Sequence, residues 1–121
     1  MKKALGICAL MALTALPVNG GEGITVRVTP ATSFAPGHLL VRARIEPNAA
    51  NRSLAIIADG ESFYRSSEIP LDGDGAPKIV EMRYPGLPGG EYEIYAVLMD
   101  SSGRERAVAH QQATVLSIDG F

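Results

Sequence analysis

Two histidines, His38 and His110, and the acidic string Asp72-Gly73-Asp74-Gly75 are the residues whose types could do chemistry in this chain. A nucleophilic site needs a nucleophile, a base and an orienting acid brought together, and no local motif marks a nucleophile beside either histidine. Both are therefore read as ordinary sheet residues, and no catalytic residue is named. Metal binding by the two histidines would need a third ligand that the spacing does not supply. Asp72 and Asp74 remain as the candidates for calcium, because two carboxylates flanking a glycine can converge on a cation. The string lacks the further ligands and the terminal glutamate of an EF-hand loop. The expectation is no metal, no cofactor and no enzyme. Asn51-Arg52-Ser53 matches a glycosylation acceptor, relevant only in a host that uses it.

Composition bounds the partners. At 46% hydrophobic and 20% charged, the 121 residues support one packed domain and do not suggest a disordered chain. The net charge is −2, and Arg27, Arg42, Arg44, Arg52, Arg65 and Arg83 alternate with acids. That pattern reads as a solvated mixed-charge surface and argues against nucleic acid, which calls for a basic stripe.

The first twenty residues differ from the rest. Lys2 and Lys3 precede an apolar run from Ala4 to Leu16, and Pro17-Val18-Asn19-Gly20 follows. This is the three-part pattern of a secretory signal, and its apolar part is too short to span a bilayer. The expected organisation is a signal peptide over 1–20 and one domain over 21–121, with export to the periplasm or the outside and no stable membrane insertion after cleavage. Cys8, the only cysteine, leaves with the leader, so the mature chain has neither a disulfide nor a thiolate nucleophile.

The elements that must position any site are strands. Ile24, Val26 and Val28 alternate with Thr25, Arg27 and Thr29 until Pro30. Leu39, Val41, Ala43 and Ile45 alternate with Leu40, Arg42, Arg44 and Glu46 until Pro47. Period-two alternation writes a core face and a solvent face into each segment. Arg52 to Ala58 is apolar on both parities, as in a central strand, and Asp59-Gly60 signals a tight turn into a partner over 61–67. Ile79 to Tyr84, Tyr92 to Asp100 and Glu105 to Leu116 complete about seven strands. The stretches 31–37 and 69–77 read as loops. The predicted class is all-β, a two-sheet antiparallel sandwich.

Leu87-Pro88-Gly89-Gly90-Glu91-Tyr92 resembles the turn into the sixth strand of fibronectin type III and related immunoglobulin-like domains. The resemblance implies a tyrosine corner in which the Tyr92 hydroxyl bonds back to the backbone, with Leu87, Pro88 and Gly89 forming the bend. The chain has no tryptophan and no cysteine pair, which excludes antibody-type domains.

If Tyr92, Ile94, Ala96 and Leu98 face the core, then Tyr95, Val97 and Met99 face outward, and Ile57 on a neighbouring strand extends their row. An apolar outward row suits a partner surface. With no chemistry legible elsewhere, the expected function is an exported, non-catalytic interaction module that binds a protein partner or itself in the cell envelope through these four residues. The alternative is a carbohydrate- or calcium-binding accessory module.

Overall fold

The computed structural model of the chain describes residues 20, 21 and 23–117. The expected leader lies outside them, apart from Gly20. Nine strands are described: β1 (Gly20–Gly21), β2 (Ile24–Thr29), β3 (Thr32–Phe34), β4 (Gly37–Ile45), β5 (Ser53–Gly60), β6 (Tyr64–Pro70), β7 (Ile79–Leu87), β8 (Gly90–Met99) and β9 (Glu105–Leu116). They form a four-stranded sheet in the order β1-β2-β4-β7 and a five-stranded sheet in the order β3-β9-β8-β5-β6. The protein is all-β with two sheets. The described residues contain no α-helix, only a 3-10 turn over Gly73–Gly75.

Alternation drives this arrangement. Ile24, Val26 and Val28 on β2 and Leu39, Val41, Ala43 and Ile45 on β4 are buried, while the residues between them turn outward. They meet Leu54, Ile56, Ala58, Ile94, Ala96 and Leu98 of the other sheet in one core. Because each sheet turns its main apolar set to the face it shares with the other sheet, a register slip of one residue would expose that set, and the pairing is fixed accordingly.

Several expectations are revised. The segment 31–37 is not all loop: Thr32–Phe34 forms β3, which runs parallel to β9 with Thr32 opposite Thr114, so the sheets are not wholly antiparallel. Asp59 and Gly60 lie within β5, and the reversal comes after them, closed by Gly60 N–H donating to the Phe63 carbonyl at 2.8 Å. The segment 69–77 contains the end of β6 and the 3-10 turn. Met99 keeps outward parity although the β8–β9 register shifts beside it.

The corner around Tyr92 forms as a local device. Its ring is 1% exposed and its hydroxyl donates to the Pro88 carbonyl at 2.5 Å. Phe63 packs edge-on against it at 6.2 Å between centroids. Gly60 lies beneath the ring, where a Cβ would come within 2.6 Å of Cε2, so the close approach requires glycine.

Candidate functional site

The outer face of the five-stranded sheet is where titratable side chains from separate strands converge. Registers of β5, β8 and β9 set Ile57 opposite Tyr95 and Tyr95 opposite His110, and in the adjoining row Asp59 opposite Glu93 and Glu93 opposite Gln112. Side chains directly across or diagonal on one face lie within reach of each other. His110 Nδ1 and Glu93 Oε1 are accordingly 3.3 Å apart, and the Tyr95 ring lies tilted on the imidazole with centroids at 5.6 Å.

Burial raises the pKa of the Tyr95 hydroxyl above its ordinary value, and the negative charges of Glu93 and Asp59 push it the same way. The phenol is thus held protonated and is a hydrogen-bond donor at neutral pH. With the carboxylate on Nδ1, the imidazole keeps Nε2 for a proton or a ligand. Beside this cluster, Ala55 and Val97 pair across the same face and screen each other to 9% and 8% exposure.

Tyr95, Val97, Met99 and Ile57, the row expected to bind a partner, share this face. Val97 is nevertheless covered by its neighbours, and of the adjoining apolar residues Val108 is the open one, at 37%. Sequence reading missed Glu93 and the pairing of His110, which lie seventeen residues apart and meet only through the β8–β9 register. The available signal was the hairpin itself, whose turn at Ser101-Ser102-Gly103 sets Tyr95 against His110.

Other candidates do not assemble. His38 is exposed at the start of β4, in the other sheet, and its Nδ1 accepts a 3.4 Å bond from the Gly86 amide. Of the calcium candidates, Asp72 and Asp74 are exposed at the 3-10 turn. Among the described residues no three His, Cys, Asp or Glu side chains are grouped to hold a metal ion. Asn51 is fully buried, donating to the Glu46 carbonyl at 3.1 Å and accepting from Arg106 Nη1 at 2.5 Å. Its amide is therefore closed to glycosylation in the folded state.

No family model and no curated protein matches the sequence. Solved structures do match. A superoxide reductase (neelaredoxin) from Ignicoccus hospitalis superposes with a TM-score of 0.56 at 13% identity, over 78% of this chain and 81% of that one. A single-substitution form of that reductase superposes with a TM-score of 0.53 at 15% identity, over 75% and 79%.

These neighbours correct the resemblance to fibronectin type III and immunoglobulin-like domains. The Leu87 to Tyr92 corner specifies a bend and a buried tyrosine, and such a local device does not fix the strand order around it. The expectations of a non-catalytic interaction module and of no enzyme, which rested on the outward apolar row and on the lack of a legible catalytic motif, are overturned as well, because the solved structures that match this fold are superoxide reductases. The carbohydrate- or calcium-binding alternative gains no support either.

A transition-metal redox centre is held by imidazole, thiolate or carboxylate donors. Here the two histidines lie on different sheets and Cys8 lies outside the described residues, so the described side chains do not fit such a centre. The likeness is one of fold: this chain is built on a scaffold similar to that of the superoxide reductases.

Proposed function

We propose that this chain uses its superoxide-reductase-like scaffold for acid–base chemistry on a small neutral or cationic molecule, at the outer face of the five-stranded sheet. The observation that carries this is the Glu93 carboxylate set on Nδ1 of His110. A carboxylate there can accept from Nδ1–H, the tautomer that leaves Nε2 open to take a proton from substrate or water. The Tyr95 hydroxyl, kept protonated, supplies a donor for developing negative charge. Ile57 and Val108 offer an apolar bed beside the polar groups. Asp59, Glu68 and Glu93 on or beside this face disfavour an anionic substrate.

The leader over 1–20 supports placing this activity outside the cytoplasm.

The test is turnover of an activated ester and deuterium exchange into an enolisable ketone by the mature protein, with His110→Asn, Glu93→Gln and Tyr95→Phe alongside. Both His110→Asn and Glu93→Gln are expected to lower the rate at least about tenfold while the fold persists. Rates no higher than those of free imidazole at equal concentration would sink the proposal. So would metal-dependent removal of superoxide by the same protein, which would assign it the chemistry of its structural neighbours.

A further inference from the structure

The outer face of the other sheet gathers four of the chain's arginines. In the rows across β2, β4 and β7, Arg27 faces Arg42, which faces Glu81; Thr25 faces Arg44, which faces Ile79; and Thr29 faces Leu40, which faces Arg83. All four arginines are exposed. The mixed-charge surface read from the sequence is thus segregated: on these rows four arginines meet the single carboxylate of Glu81. Glu81 is already committed to Arg42, accepting from Nη2 at 2.6 Å and Nε at 2.9 Å. Arg27 and Arg44 make no ion pair among the described residues.

Two guanidinium groups held directly opposite each other across a ladder are unfavourable without an anion between them. Arg27 and Arg42 stand in that relation, and with Arg44 and Thr25 they line a shallow depression of about 420 Å³. Cross-strand and along-strand spacings set the Cβ atoms of these residues roughly 5 Å by 7 Å apart, a footprint over which flexible guanidinium groups can close on two linked oxyanion groups. Guanidinium forks match phosphate oxygens two at a time, and the Thr25 hydroxyl can add a neutral donor.

We propose that this depression is a binding site for a small molecule carrying two adjacent phosphate groups, of which pyrophosphate is the simplest. A small anion suits the site better than an anionic membrane surface. The positive charge is local, whereas the whole chain carries −2 and would be repelled from an extended anionic sheet. The site lies on the opposite sheet from His110 and does not depend on the acid–base proposal.

The experiment is calorimetric titration of the whole protein with pyrophosphate at low and at physiological salt. Chloride is the control, and vesicles of phosphatidylglycerol are tested in parallel. One-to-one binding is expected that weakens at least about tenfold on raising the salt. Arg27→Thr and Arg44→Thr should each weaken it about tenfold by removing a bidentate contact. Glu81→Gln should tighten it by freeing Arg42. Thermal melts of the variants separate lost contacts from lost fold. Absence of pyrophosphate binding, affinity unchanged in Arg27→Thr and Arg44→Thr, or binding confined to the vesicles would each overturn the proposal.

Discussion

The Gln111 side chain and the Val28 backbone exchange two hydrogen bonds between the sheets. Gln111 Oε1 accepts from the Val28 amide at 3.1 Å and Nε2 donates to the Val28 carbonyl at 3.3 Å. The pairing answers a specific shortage. β1 covers only Ile24 and Thr25 on the outer edge of β2, so among the described residues no strand pairs with the Val28 peptide groups further along that edge. A primary amide presents an acceptor oxygen and a donor N–H side by side on one edge, so the Gln111 side chain meets the N–H and the C=O of Val28 together.

Replacing Gln111 by leucine keeps the volume and removes both bonds, leaving part-buried backbone groups unpaired. A loss of about 1–3 kcal/mol is expected, measured by urea unfolding. The rate of any His110-dependent reaction should stay unchanged, since Gln111 reaches across to β2 of the other sheet while His110 pairs with Glu93 on the outer face.

A second prediction concerns alkaline pH. Burial raises the hydroxyl pKa of Tyr84, Tyr92 and Tyr95 above the ordinary 10.0. The folded state therefore holds these protons to higher pH than the unfolded chain does. Groups shifted in that direction contribute stability that is present below their unfolded value and lost as pH rises through the folded ones. Unfolding free energy should thus be flat near neutrality and fall above about pH 10, followed by denaturant midpoints across that range. Tyr92→Phe should blunt the fall. It should also cost about 0.5–1.5 kcal/mol at neutral pH, because the bond to the Pro88 carbonyl is lost. A midpoint that rises with pH above about 10 would contradict the assignment.

Beneath the same ring, Gly60→Ala is expected to be more damaging than Tyr92→Phe. The added Cβ would stand 2.6 Å from Cε2 and 2.7 Å from Cδ2 of Tyr92, so the ring or the β5 backbone must move. Overpacking of this kind costs about 1–3 kcal/mol. Restoring stability with Tyr92→Leu in the Gly60→Ala background would show that the clash, and not strand propensity, is responsible.

What the sequence revealed follows from which interactions are local. β2, β4 and β8 each bury one face, so alternation exposes them directly: Val26 and Val41 are in the core while Arg27 and Arg42 are out. β3 left no such trace, because three half-open residues pair in parallel with β9, some eighty positions away in the chain. β6 was legible in part: the Asp59-Gly60 turn signal announced a partner over 61–67, but its nearly all polar or exposed residues carry no alternation to mark where it ends, at Pro70. Both candidate sites depend on register. Arg27 and Arg42 are ordinary outward residues until β2 and β4 are paired, and Glu93 acquires a role only when β9 brings His110 to it. The Tyr92 corner was legible since its donor and acceptor are four residues apart, and for the same reason it said little about the rest of the fold.

Export is tested by expression of the full chain in a bacterial host. Protein recovered from the periplasm is expected to begin near Gly21, shortened by the 1–20 leader and without Cys8. Intact-mass measurement reads both points, and retention of Cys8 in the exported product would overturn the expected organisation.

The arginine face gives the last prediction. Arg27 stands opposite Arg42 on neighbouring strands, and like charges in directly facing positions destabilise a sheet. Glu81 offsets this for Arg42 only, through an exposed pair whose value is below about 1 kcal/mol. Arg27→Thr should therefore stabilise the ligand-free protein by roughly a few tenths of a kcal/mol, since it removes the repulsion and adds a strand-favouring residue. Salt offers an independent check. Raising ionic strength from about 0.01 M to about 0.15 M shortens the screening length from about 30 Å to about 8 Å. The wild-type chain should gain stability over that range and Arg27→Thr should gain less. If Arg27→Thr instead destabilises the free protein at low salt, the two guanidinium groups do not repel in the fold, and the face lacks the unmet charge that an anion would satisfy.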